Sequence, residues 1–171
     1  MTTAAPTVGA ARLRTALRGH ASGVAVLTAA APSGPAGVTI TSFTSVSAEP
    51  ALVSFALAET SSTWARIKDC QRFGIQLLGA DQRDVAERFA ATDVDRFAPP
   101  TRWHTGPHGV PLLDDCAAWL VATRHRQLTL GDHELIVCAV EHVRTGSPRG
   151  SLVHLHGGLH AAPGTPSAPR P

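Results

Sequence analysis

The sequence predicts a mainly β protein: an antiparallel barrel capped by two or three short helices. Three observations point there. Apolar runs rich in Val, Thr, Ile and Phe outnumber stretches with helical spacing. Those runs follow one another in hairpin-like order, separated by Gly, Pro and Asp. The regular β–α–β alternation of a doubly wound sheet is missing, which favours an antiparallel barrel.

Residues 10–20 read as a helix, with Leu13, Ala16, Leu17 and His20 at helical spacing and Gly19 and Gly23 as stops. The apolar run GVAVLTAAA from Gly23 reads as a strand, and PSGPAG (32–37) as a turn. Val38 to Ser47 has strand chemistry with many hydroxyls. Glu49-Pro50 breaks it, and ALVSFALA (51–58) reads as a buried strand. The hydroxyl cluster at 60–63 caps a helix through WARIKD. FGIQLLG (73–79) is a strand, and Asp81 is expected to cap a helix that sets Val85 and Phe89 on one face. Residues 92–116, with four prolines, read as loop. Ala117 to Leu130 and Glu134 to Val143 form a long hairpin turned at Gly131-Asp132-His133, and SLVHLHG from Ser151 is a last strand. Residues 10–161 form one domain, with a flexible N-terminus (1–9) and a flexible Pro-rich tail (162–171).

Composition excludes several classes. Of 171 residues, 43% are hydrophobic and 16% charged, the reverse of a disordered chain. No apolar run is long enough to span a membrane, no signal peptide opens the chain, and a cytoplasmic location is the default expectation. The net charge is only +2 and the arginines are scattered, so no basic stripe with stacking aromatics marks a nucleic-acid surface. Cys70, Cys116 and Cys138 are odd in number and lack metal spacing, which points to buried thiols.

Dinucleotide, P-loop and nucleophile-elbow motifs are absent. Four stretches remain. Thr39-Ile40-Thr41-Ser42-Phe43-Thr44-Ser45-Val46-Ser47 is either an edge strand or a wall of donors for a polar heterocycle. Ser61-Ser62-Thr63 is either a plain cap or a phosphate site, because N–H groups at a helix start favour anions. Gly131-Asp132-His133 is either a simple turn or a place where an imidazole meets a planar ligand. In HLHGGLH, His154 and His156 are expected on one strand face, but no carboxylate or cysteine completes a metal motif, so no metal is predicted.

Taken together and in order, GPAGVTITSFTSVSAEP, SSTWARIKDC, VAERFA, DRF, GVPLLDD, GDHELIVCAVEHV and LVHLHGGLH resemble the flavin reductase family from about Leu13 to His160. Its members are the reductase components of two-component flavin monooxygenases. The resemblance implies a split, FMN-binding Greek-key barrel that forms a homodimer. It implies hydride transfer from NADH or NADPH to FMN or FAD, with reduced flavin passing to a flavin-dependent monooxygenase. The other reading is a flavin-binding protein on the same barrel without reductase activity. Carried onto this chain, Gly37, Val38, Thr39, Ile40, Thr41, Ser42 and Ser45 would line the isoalloxazine and ribityl chain. Ser61, Ser62 and Thr63 would hold the phosphate, with Arg96 and Phe97 at the border. Gly131, Asp132 and the catalytic His133 would meet the nicotinamide, and His156 would stand in for an aromatic residue that members often carry near the final glycines.

Overall fold

The computed structural model describes residues 8–146 and 150–162, so the expected loose ends lie largely outside the described residues. In chain order the elements are α1 (Ala10–Leu17), β1 (Ser22–Gly23), β2 (Ala25–Ala31), β3 (Gly34–Ile40), β4 (Thr44–Ser47), β5 (Leu52–Ala58), α2 (Ser62–Ile67), β6 (Arg72–Leu77) and α3 (Arg83–Ala90). They continue with β7 (Trp103–Thr105), β8 (Pro111–Leu113), β9 (Ala118–Leu130), β10 (His133–Thr145), β11 (Ser151–Leu155) and β12 (Gly158–Ala162). Among the described residues no helix is long and apolar enough to cross a membrane.

A seven-stranded antiparallel sheet in the order β3-β2-β6-β9-β10-β5-β4 forms the body. Its concave face encloses Ala25, Leu27, Phe55, Ile75, Ile136 and their neighbours, with Phe55 and Phe73 packed edge to face at 5.4 Å. Strand β2 is buried on both faces. Its odd-numbered residues enter this core, while Val26 packs under α3 with Ala86 and Phe89, in a second core that Leu152 also joins. Double burial explains the unbroken apolar run, which lacks the alternation of a half-exposed strand. A small sheet, β1-β11-β12, is laced to the large one by backbone bonds among Val24, Leu78 and Leu152.

The edges β3 and β4 do not pair with each other. Instead β3 lies against β5, and the residues after β3 turn to start β4. In the β4–β5 register Thr44 faces Ser54, so Ser42 falls opposite Ala56. There the Ser42 side chain substitutes for backbone pairing.

Several expectations need correction. The turn at 32–37 is tighter than expected: β3 already begins at Gly34, whose φ of +103° makes the reversal. Helix α3 starts at Arg83 with Gln82 rather than Asp81 at the N-cap, and the Gln82 side chain accepts from the Gly79 N–H at 2.9 Å. The 92–116 loop contains the β7–β8 hairpin, held because Val110, Leu112 and Leu113 are buried. The last strand is a hairpin: His156 and Gly157, at φ +52° and +83°, turn β11 into β12. His156 therefore does not share a strand face with His154.

Candidate functional site

A cleft of about 840 Å³ opens between α2, the β2–β3 hairpin and the loop 92–98. Ser62 and Thr63 reach it because Ser61, taking the Trp64 N–H at 3.2 Å, starts α2 there, while Trp64 and Ile67 anchor the helix in the core. Gly37 forms part of the wall. A Cβ at that position would come within 2.8 Å of the Phe89 ring and 2.9 Å of the Leu27 carbonyl, so glycine is required where α3 crosses β3. Phe97 and Trp103 form another wall, in an edge-to-face row with Phe89 at 5.3 Å spacings.

Two guanidiniums border the cleft. Arg96 donates from Nη1 to the Gly37 carbonyl (2.6 Å) and the Thr63 hydroxyl (2.8 Å). Its Nε and Nη2 donate to the Ala91 carbonyl at 3.1 and 2.6 Å. Four of its five donors thus strap the loop to β3 and α2. Arg66 uses fewer, donating to Ser33 Oγ at 3.3 Å and the Pro35 carbonyl at 3.2 Å. Neither arginine forms an ion pair among the described residues. Burial, and then the neighbouring Arg66, push the Arg96 pKa below its usual value. Asp93 and Asp95 line the same cleft, the Asp95 carboxylate accepting from the Phe97 and Ala98 N–H groups, so the two guanidiniums bring their spare N–H groups to a site that also carries acidic side chains.

The β9–β10 turn lies one strand end away. His133 opens β10 opposite Ala58, the Glu59 N–H donates to the Asp132 carbonyl, and the Ser61 N–H donates to the Ala58 carbonyl. A short path therefore ties this turn to the start of α2. Gly131, at φ +65°, makes the turn. His133 Nδ1 meets Asp132 Oδ1 at 2.7 Å, and this hydrogen bond is the main reason the Asp132 carboxyl is held below its usual pKa. The imidazole is half exposed and stands outside the cleft lining.

Beneath the turn, the buried Glu134 carboxylate accepts from Gln127 Nε2 (2.9 Å) and Thr129 Oγ1 (2.8 Å). Gln127 in turn accepts from Arg124 Nη1 at 2.7 Å. Arg124 also donates to the Lys68 and Cys70 carbonyls and lies 5.7 Å over the Trp64 ring. The register slips between Val137 and Cys138, opposite Arg126 and Arg124. His125 is thus a bulge, and it brings Arg124, Gln127 and Thr129 to one face. The β9–β10 hairpin and α2 are coupled by this polar strip, which spacing alone did not reveal.

The structure gathers Gly37, Ser62, Thr63, Arg96 and Phe97 around the cleft. It does not make one wall of the hydroxyl-rich stretch. Val38 packs against the core and Ile40 is buried within it. Thr39 Oγ1 donates to the Ala86 carbonyl at 2.6 Å, Ser42 is bonded to Ala56, and Thr41 and Ser45 are exposed. His156 sits in another corner, its N–H on the Arg18 carbonyl. Sequence reading missed Ser33, Arg66 and Trp103. Arg66 was within reach, because it lies four residues after Ser62 and so shares its helix face.

An antiparallel β body with an arginine-bordered cleft near a hairpin histidine defines a small-ligand binding protein of the split-barrel class. The chain matches the flavin reductase like domain over residues 17–163 and belongs to that family. It is 42% identical over 130 residues to an NADH:FMN oxidoreductase of Rhodococcus qingshengii, covering 76% of this chain and 68% of that protein. Its fold matches the NADH:FAD oxidoreductase of Streptomyces globisporus C-1027, solved with NAD and FAD fragments, with a TM-score of 0.84 and 29% identity over 96% of this chain and 99% of that one. The styrene monooxygenase flavin reductase of Pseudomonas putida S12 matches with a TM-score of 0.81 and 28% identity, over 91% of this chain and 99% of that one.

Proposed function

We propose that this chain is an NADH-dependent flavin reductase that passes hydride to FMN or FAD and supplies reduced flavin to a partner monooxygenase. The observation that carries this is the cleft bordered by two guanidiniums that form no ion pair among the described residues, beside serine and threonine hydroxyls. Its volume, about 840 Å³, lies in the range of roughly 300–1,000 Å³ usual for small-molecule sites. The donor set suits a phosphate, and so the cleft fits a flavin mononucleotide moiety. The hydride donor and acceptor chemistry belongs to the nicotinamide and the flavin.

The protein's part is positioning. Arg66, with Ser62 and Thr63, holds the phosphate, and Arg96 keeps the wall in place. Gly37 lets α3 pack close against β3, which sets the wall behind the ligand. His133, oriented by Asp132, meets the nicotinamide from the open side. Support for a homodimer comes from apolar side chains left exposed on α1 and the β9–β10 hairpin, Leu13, Leu17, Leu128 and Leu130.

The test is oxidation of NADH followed by its absorbance. Turnover is expected only when free FMN or FAD is added. No turnover with any flavin and either nucleotide would end this reading.

A further inference from the structure

The helix that carries Ser62, Thr63 and Arg66 is braced at both ends. At its start the tie is backbone, from the Glu59 N–H to the Asp132 carbonyl and from the Ser61 N–H to the Ala58 carbonyl. At its end the tie is a side chain. Arg124 of β9 donates from Nη2 to the carbonyls of Lys68, the C-cap of α2, and of Cys70. We infer that Arg124, linked through Gln127 to Glu134, is a positioning residue for hydride transfer: it fixes α2 against the His133 turn and so sets how flavin and nicotinamide meet. The inference rests on the flavin and nicotinamide sites proposed above.

Connectivity is the first argument. Glu134 directly follows His133, and its buried carboxylate accepts from Gln127 Nε2 and Thr129 Oγ1. Gln127 Oε1 in turn accepts from Arg124 Nη1 at 2.7 Å. An unbroken run of side-chain hydrogen bonds therefore leads from the residue after His133 to the last turn of α2. The second argument is cost. The Arg124 guanidinium lies 5.7 Å from the Trp64 ring centroid and 5.5 Å from that of Phe73. Its Nε is buried and has no hydrogen-bond partner among the described residues. An orphaned donor is unfavourable, and an apolar side chain of similar size would pack α2 onto the sheet without one. What the guanidinium adds is direction, because its planar fork holds the carbonyls and the Gln127 amide at fixed angles. The chemistry needs that direction, since a misplacement of about 1 Å between reacting groups can cost about 100-fold in rate. The phosphate contacts lie on α2 and the nicotinamide contact on the hairpin. Each ligand can bind without this tie, and only their mutual placement depends on it.

The experiment uses the intact chain, with whichever of FMN and FAD the wild type reduces faster. It compares wild type with Gln127→Met, Arg124→Lys, Glu134→Ala and Glu134→Gln. Gln127 is exposed, so Gln127→Met cuts the run at its centre without entering the core. Single-turnover oxidation of NADH and of 4-deuterated NADH reads hydride transfer, fluorescence quenching reads flavin affinity, and urea unfolding reads stability. Gln127→Met is expected to slow hydride transfer about tenfold, with flavin affinity and the NADH KM within about twofold and the urea midpoint nearly unchanged. The slowed step should carry a primary isotope effect. Arg124→Lys should lose at least as much, because one ammonium cannot serve both the carbonyls and Gln127. Glu134→Ala should also be slow, and Glu134→Gln, which keeps an acceptor for Gln127, should recover most of that rate. Unchanged hydride transfer in Gln127→Met and Arg124→Lys would overturn the assignment. So would a loss confined to flavin affinity or to the urea midpoint, or no recovery in Glu134→Gln. A wild type that reduces no flavin fails the reductase reading itself. One that reduces flavin at a rate indifferent to these substitutions fails only the positioning role.

Discussion

The Ser42 hydroxyl completes the β-ladder on Ala56, donating to its carbonyl at 2.8 Å and accepting from its N–H at 3.0 Å. One side chain thereby performs both halves of a backbone pair just ahead of β4. Ser42→Ala removes both bonds at a partly wetted position. It is expected to cost about 1 kcal/mol, read as a lower urea midpoint at unchanged slope. Ser42→Thr, which keeps the hydroxyl, should recover most of that loss.

Arg66 and Arg96 have separable roles. Arg96→Ala leaves the Ala91 and Gly37 carbonyls and the Thr63 hydroxyl without their donor, for a loss of about 2 kcal/mol in unfolding free energy. Arg96→Lys should not restore it, because one ammonium cannot reproduce the planar fork. Arg66→Ala should weaken flavin binding about tenfold with little change in Tm, because its contacts are exposed. Calorimetry and flavin titration on the same samples separate the two.

His133→Ala is expected to lower turnover with NADH about tenfold or more, within the range for a lost positioning or proton-handling group, while flavin affinity stays within about twofold. The imidazole is outside the cleft lining and among the described residues its hydrogen bond is to Asp132, so the fold does not depend on it. Parallel loss of flavin affinity would place it elsewhere in the mechanism.

Burial pushes the Cys138 thiol from 9.0 up to about 12, and the Cys116 thiol up to about 11. Both folded values lie above the unfolded one, so the neutral thiol is favoured in the native state. The stability this gives is complete below pH 9 and is lost as pH rises toward the folded values. Above pH 9 each thiol should steepen the fall in unfolding free energy by about 1.4 kcal/mol per pH unit. In Cys138→Ala the alkaline limb should be shallower, as measured by urea unfolding across that range.

Much of the fold was legible because the rules that govern it are local. The β9–β10 hairpin declares itself by alternation and by Gly131-Asp132, and α2 by its hydroxyl cap. The β7–β8 hairpin was hidden because Gly106, Pro107 and Gly109 look like loop chemistry, while burial of Leu112 and Leu113 is decided by distant strands. The second strand of the last hairpin was hidden because its turn begins at His156, whose positive φ is uncommon for any non-glycine residue although histidine adopts it more readily than most. For the site, Ser62, Thr63, Gly37 and Arg96 line one cleft. Thr39 and Ser42 do not, because hydroxyls on a strand also serve neighbouring backbone, and only the packing of α3 and β5 reveals that Ala86 and Ala56 claim them.

The extra residue at His125 works as a parity switch. Upstream of it even-numbered side chains of β9 face inward with Arg124, and downstream odd-numbered ones do, with Gln127 and Thr129. Excising that one amino acid would leave a regular ladder, in which Arg126, Gln127 and Thr129 keep Val137, Ile136 and Glu134 as partners on the same faces. What the surplus residue supplies is therefore local bending of the strand where Arg124 reaches across to the end of α2, at no cost to the order of the side chains beyond it.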